Sequence, residues 1–114
     1  MRVVVADAHA GARHALASVL AAEPALELVA ACADLAAASA ALRRHRADGL
    51  VVATGLLRAG RGALGPVRAE TVIVVVGMDD SPAAARLVLA QGADAYVVKD
   101  RAHTGLIDAL LQAA

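Results

Sequence analysis

Short, wholly apolar runs alternate with stretches of helical length along this chain, and that alternation leaves few folds open. Runs at Val3–Ala6, Leu26–Ala31, Leu50–Ala53, Val72–Val76 and Ala95–Val98 predict strands. Stretches rich in Ala, Leu and Arg at Gly11–Ala22, Leu35–Arg46, Pro82–Gln91 and His103–Ala113 predict helices between and after them. The strands are continuously apolar rather than alternating, so both sheet faces should be buried, and helical crossovers between strands imply a parallel sheet. The expected architecture is an α/β, three-layer (βα)5 sandwich. Punctuation agrees: Pro24 stops the first helix, Asp34 caps the second, and Ser81-Pro82 supplies a cap followed by a first-turn proline, with Gly92 just past that helix.

One crossover breaks the rhythm. Between Ala53 and Val72 the chain reads TGLLRAGRGALGPVRAET, and its four glycines and a proline predict only a short helix near Leu64 to Ala69. Two readings stand for it: a mobile surface loop between Gly55 and Pro66, or a lip over a site at which Arg58 and Arg61 meet an anion. It is not a phosphate-binding loop, because it lacks both the Gly-Lys-Ser/Thr ending and the G-x-G-x-x-G spacing.

Composition narrows the function classes. A chain of 114 residues makes one domain with a real core, and 60% hydrophobic residues argue against disorder. With one Tyr and no Phe or Trp, it has no stacked aromatic face for single-stranded nucleic acid. Eleven basic and eleven acidic residues cancel, so no overall field draws the domain to nucleic acid or anionic lipid. The single Cys32, in the run VAACAD, reads as a small core residue in a reducing compartment. There is no signal-peptide pattern and no apolar run of about eighteen residues, so a soluble cytoplasmic protein is expected. His9, His14, His45 and His103 show no metal-ligand spacing, and Arg43–Arg46 reads as a solvated helix end favoured by the helix dipole. Asp79 and Asp80 should line the turn before the helix at Pro82.

Residues that could carry chemistry gather at the predicted carboxyl ends of strands, where open α/β sheets bind ligands. Asp7 follows the first strand, Ala53 ends the third, Val76 ends the fourth, and Lys99 follows the fifth. The segments RVVVADAHAGARHALASVLAAEPALELVAAC, ADGLVVATG and TVIVVVGMDDSPAAARLVLAQGADAYVVKD resemble, in that order and over the whole chain, the receiver domain of two-component response regulators. The resemblance is to the LuxR/NarL/FixJ-type branch, which carries a helix-turn-helix domain. It implies a CheY-like, flavodoxin-like sheet in the order 2-1-3-4-5. It also implies two acidic residues ending the first strand that hold Mg²⁺, a phosphoacceptor aspartate ending the third, a switch Thr or Ser ending the fourth, and a Lys after the fifth with an aromatic residue three positions before it.

That pattern is half erased here. Asp7 matches the first acid, but Ala8 stands at the second, Ala53 at the phosphoacceptor and Val76 at the switch hydroxyl, while Lys99 and Tyr96 are kept. An alanine methyl neither attacks phosphorus nor binds a hard cation, so no catalysis, no metal and no cofactor are expected. Asp7 and Lys99 form either a partly buried ion pair or a ligand-binding pair. Tyr96 is either a sheet-edge residue or a contact at a partner surface. The preferred functional reading is a pseudo-receiver: a phosphorylation-independent regulatory domain of a transcription regulator that acts by homodimerisation or by ligand or partner binding. DNA would then be reached only through a helix-turn-helix domain beyond Ala114. The alternative is a stand-alone adaptor with a receiver fold that captures a small molecule or protein at the vacated pocket. A conventional phosphate-switched receiver would need another acceptor, and Thr54 is a poor one. Self-association is expected through one of two Ala/Leu-rich surfaces, the helices containing AAARLVLAQG or LIDALLQAA.

Overall fold

The computed structural model describes residues 1–57, 64, 65, 67, 70–99 and 102–114. Five strands, β1 (Arg2–Ala6), β2 (Glu27–Cys32), β3 (Gly49–Ala53), β4 (Val72–Gly77) and β5 (Ala95–Val98), pair in parallel in the order β2-β1-β3-β4-β5. Four described helices connect and follow them: α1 (Ala10–Ala21), α2 (Leu35–His45), α3 (Pro82–Ala90) and α4 (Ala102–Ala113). A 3-10 turn, Thr54–Leu57, leaves β3.

The sheet is covered on both faces, which is why its strands read as unbroken apolar runs. Val4, Ala6, Leu50, Val52, Ile73 and Val75 pack with Ala38, Ala41 and Leu42 of α2 and Val88 of α3. Their neighbours Val3, Val5, Val51, Val74, Val76 and Val97 pack with Leu16 and Leu20 of α1 and Leu106 and Leu110 of α4. Strand side chains alternate between these two layers, as the pleat requires. Each fully buried valine contributes about 1.5–3 kcal/mol of burial free energy, so a core without Phe or Trp is built from many medium-sized side chains.

Helix boundaries follow the expected chemistry. Asp34 Oδ1 accepts the Ala37 N–H at 2.7 Å, and Ser81 Oγ accepts the Ala84 N–H at 3.2 Å with Pro82 in the first turn. Gly92, beyond α3, has φ 106°, where a side chain would be strained. Arg43, Arg44 and His45 occupy the last turn of α2, and Arg46 caps it in the left-handed region at φ 50°. Two aspartates clamp the amino-terminal edge of the sheet. Asp48 Oδ2 accepts the Arg2 N–H at 3.0 Å, and Asp94 Oδ2 accepts the Ile73 N–H at 2.8 Å.

The expectations for Arg58, Arg61, most of the Gly55–Pro66 loop and most of the short helix near Leu64 to Ala69 lie outside the described residues. Within that stretch Leu64 and Val67 are buried, and the Val67 N–H donates to Leu64 O at 3.0 Å in a turn. No described helix is long and apolar enough to cross a membrane.

Candidate functional site

The carboxyl ends of β1, β3, β4 and β5 surround a cleft of about 420 Å³, where parallel α/β sheets present their ligand sites. Asp7, Ala8, Ala53, Gly77 and Lys99 line it, with Thr54 and Met78 at its margin.

Asp7 is the fixed charge of the cleft. It follows β1, its own N–H donates to Cys32 O at 3.0 Å, and only 1% of it is exposed. Oδ1 accepts the His9 N–H at 2.9 Å, while Lys99 Nζ stands 3.4 Å from Oδ2. The Arg13 guanidinium donates to Asp7 O at 2.9 Å, tying the first turn of α1 to the end of β1. The His9 imidazole reaches within 3.5 Å of Oδ1 but is largely in solvent. Lys99, whose side chain is 27% exposed, therefore supplies the opposite charge that the buried carboxylate requires. The structure brings the expected Asp7–Lys99 ion pair together.

Ala8 is exposed and Ala53 is buried, both expected positions border the cleft, and each presents only a methyl group to it. Val76 does not line the cleft. It is fully buried in the layer under α1 and α4, with Val5, Val74 and Val97. The residue of β4 that lines the cleft is the next one, Gly77. The sequence carried a signal for it, a glycine closing an otherwise valine-rich strand, which often marks the close approach of another group.

That group is Tyr96. A Cβ on Gly77 would stand 2.9 Å from Tyr96 Cε1 and 2.7 Å from Thr54 Cγ2, closer than side chains pack. The Tyr96 hydroxyl donates to Asp79 O at 2.6 Å, which holds the ring against the turn before α3. Burial pushes the Tyr96 phenol above its ordinary range, and the Asp79 charge, with Asp80 behind it, adds to this. Asp79 is held below the usual carboxylate range by the Ser81 N–H, which donates to Oδ1 at 2.9 Å. Asp79 thus shapes the turn before α3, and Asp80 lies beside it in that turn, as expected.

Cys32 ends β2 partly buried against the α2 side of the core. Burial pushes its thiol up, with Asp34 adding to the effect and Arg13 opposing it, so it is poorly nucleophilic. His9 and His14 are exposed on or beside the first turns of α1, and the His103 side chain lies outside the described residues.

The donor set does not fit a divalent cation. Mg²⁺ prefers several carboxylate or carbonyl oxygens in octahedral geometry, and here one carboxylate is already engaged by Lys99 and the His9 N–H. No group of three or more His, Cys, Asp or Glu able to hold a metal occurs among the described residues.

No protein-family model matches the sequence, and no curated protein matches it either. Solved structures do. The signal receiver domain of the response regulator NarL from Mycobacterium tuberculosis is similar with a TM-score of 0.81 at 26% identity, over 97% of this chain and 93% of that one. The fold is that of a response-regulator receiver domain. The response regulator domain of Thermotoga maritima CheB gives a TM-score of 0.84 at 20% identity, over 99% of this chain and 95% of that one. RcsB from Salmonella enterica serovar Typhimurium, bound to promoter rprA, gives 0.80 at 23% identity, over 98% of this chain and 67% of RcsB. The receiver fold explains why four strand ends converge on one cleft, and its strand order is the one the resemblance implied.

Proposed function

We propose that this chain is a pseudo-receiver: a regulatory domain of a two-component-type transcription regulator that works without phosphorylation and catalyses no reaction. One observation carries the reading. Within a receiver fold, the cleft floor is Ala53, and the carboxylate that remains, Asp7, is buried and paired with Lys99. Ala53 offers no nucleophile for phosphoryl transfer, and the cleft lacks the ligands to neutralise a phosphoryl group with a divalent cation.

Regulation then rests on dimerisation or on binding of a ligand or partner. DNA is reached through a helix-turn-helix domain beyond Ala114, a reading supported by the similarity to promoter-bound RcsB. The open cleft of about 420 Å³ favours a second reading, an adaptor that takes a small molecule between Asp7, Lys99 and Thr54. Incubation with acetyl phosphate and Mg²⁺ followed by intact mass measurement tests the first claim. The chain should keep its mass, and an added phosphoryl group would overturn the proposal.

A further inference from the structure

The cleft sets two opposite charges side by side with apolar surface around them. Asp7 is 1% exposed, and its Oδ2 stands 3.4 Å from Lys99 Nζ, a long separation for a charge-assisted hydrogen bond. Both residues line the cleft, and neither has its hydrogen-bonding capacity filled. Among the described residues only Lys99, the His9 N–H and the exposed His9 ring reach the carboxylate, which leaves lone pairs unused. Lys99 Nζ makes no hydrogen bond among the described residues except to Asp7, so further N–H groups are open to a ligand. Ala8, Ala53, Leu56 and Met78 supply the apolar surface.

This arrangement selects by charge. Asp7 and Lys99 offset each other, so an anion attracted by Lys99 is repelled by Asp7, and a cation meets the reverse. A ligand that sets a donor against Asp7 and an acceptor against Lys99 uses both. A primary amide or a lactam carries that pair on one edge: its N–H donates to the carboxylate, its carbonyl accepts from the ammonium, and no charge of its own has to shed water. A zwitterion offers the same pairing but adds the desolvation of two more charges.

We infer that the cleft is a binding site for an uncharged small molecule with a carboxamide or lactam head, its N–H on Asp7 and its carbonyl on Lys99, and an apolar body against Ala8, Leu56 and Met78. The inference rests on the reading of the cleft as a small-molecule site and deepens it by naming the ligand's chemistry. Met78, unbranched and exposed, adapts to bodies of different shape.

Backbone amide NMR titration of the full chain tests the assignment with four probes that share a phenyl body: benzamide, benzoate, benzylammonium and zwitterionic phenylglycine. Benzamide should shift the signals of Ala8, Ala53 and Lys99 and bind at least about fivefold more tightly than each of the others. Ala8→Leu, at an exposed position, should crowd the cleft and weaken benzamide binding by a similar factor. Lys99→Met removes the donor, keeps much of the stem and leaves Asp7 uncompensated, so benzylammonium should then bind more tightly than benzamide. A purely structural role for Lys99 would not invert that preference. A charged probe that binds the wild-type cleft as tightly as benzamide, or an order of affinities unchanged in Lys99→Met, overturns the amide assignment while keeping the cleft as a ligand site. Cleft signals that no probe shifts overturn both. Failure of the phosphorylation-independent reading is seen separately, as phosphoryl mass gained from acetyl phosphate.

Discussion

The ring of Tyr96 lies over the Cα of Gly77, its Cε1 only 2.9 Å from where a Cβ would be, and its hydroxyl donates to Asp79 O. The absence of a side chain at residue 77 thus seats the aromatic ring against the turn before α3. Gly77→Ala should expel the ring and cost about 1–3 kcal/mol, the range for forcing extra atoms into a packed site. Tyr96→Ala on that background should cost less than the two single changes added together, because the pair is in contact. Urea unfolding measures all four proteins, and a Gly77→Ala chain as stable as the wild type would refute the interlock.

The second prediction concerns the pair that spans the chain from β1 to the residue after β5. Lys99→Ala leaves the Asp7 carboxylate buried with the His9 N–H as its main donor and should cost about 1–3 kcal/mol. That is less than for a fully buried pair, since Lys99 reaches solvent. The double change Asp7→Ala, Lys99→Ala should cost less than the sum of the single changes. Additive losses in chemical unfolding would show that the two charges are not coupled.

Much of this was legible in the sequence, for stated physical reasons. The continuous runs around Val3–Ala6 and Val72–Val76 announced a doubly covered parallel sheet, and Asp34, Ser81 and Gly92 announced helix ends through their side-chain and backbone chemistry. Asp7 and Lys99 were recognisable as strand-end charges. The face of Val76 was not legible: an unbroken apolar strand carries no alternation, and a one-residue slip moves a side chain from cleft to core. Only pairing with neighbouring strands settles it, with Gly77 beside Val98. The clamps by Asp48 and Asp94 were also hidden, because they depend on backbone groups of β1 and β4 that lie far away in sequence.

The single tyrosine gives a direct pH readout. Its proton is held more tightly in the folded chain than in the unfolded one, where the ordinary value is 10.0. Its contribution to stability is therefore complete below that value and is lost as pH rises through it towards the folded value. Ultraviolet absorbance titration should place the native midpoint above that of the urea-unfolded chain. Asp79→Asn should lower the native midpoint by removing a negative charge while leaving the carbonyl that accepts the hydroxyl. A native midpoint at or below the unfolded one would contradict the placement of the ring.

Cys32 gives a fourth test. Because its thiol is pushed up from the ordinary 9.0, less thiolate is present at mildly alkaline pH than in the unfolded chain, and a disulfide reagent should label the native protein more slowly. Asp34→Asn should speed labelling, since Asn also serves as a helix cap and the change removes only the charge. Equal rates in folded and unfolded protein would place the thiol in solvent.

The central claim is that the cleft has lost phosphoryl chemistry through Ala8 and Ala53 together, and one intact-mass experiment with acetyl phosphate and Mg²⁺ tests it. The wild type should gain no mass. Ala53→Asp should gain almost none, because Ala8 still withholds a metal ligand. Ala8→Asp with Ala53→Asp should gain a phosphoryl group only when Mg²⁺ is present, since the metal would then have Asp7 and two new carboxylates. No hydroxyl is added on β4, because Val76 faces the core and a side chain at Gly77 would strike Tyr96. Phosphoryl mass on the unaltered chain would contradict the account outright.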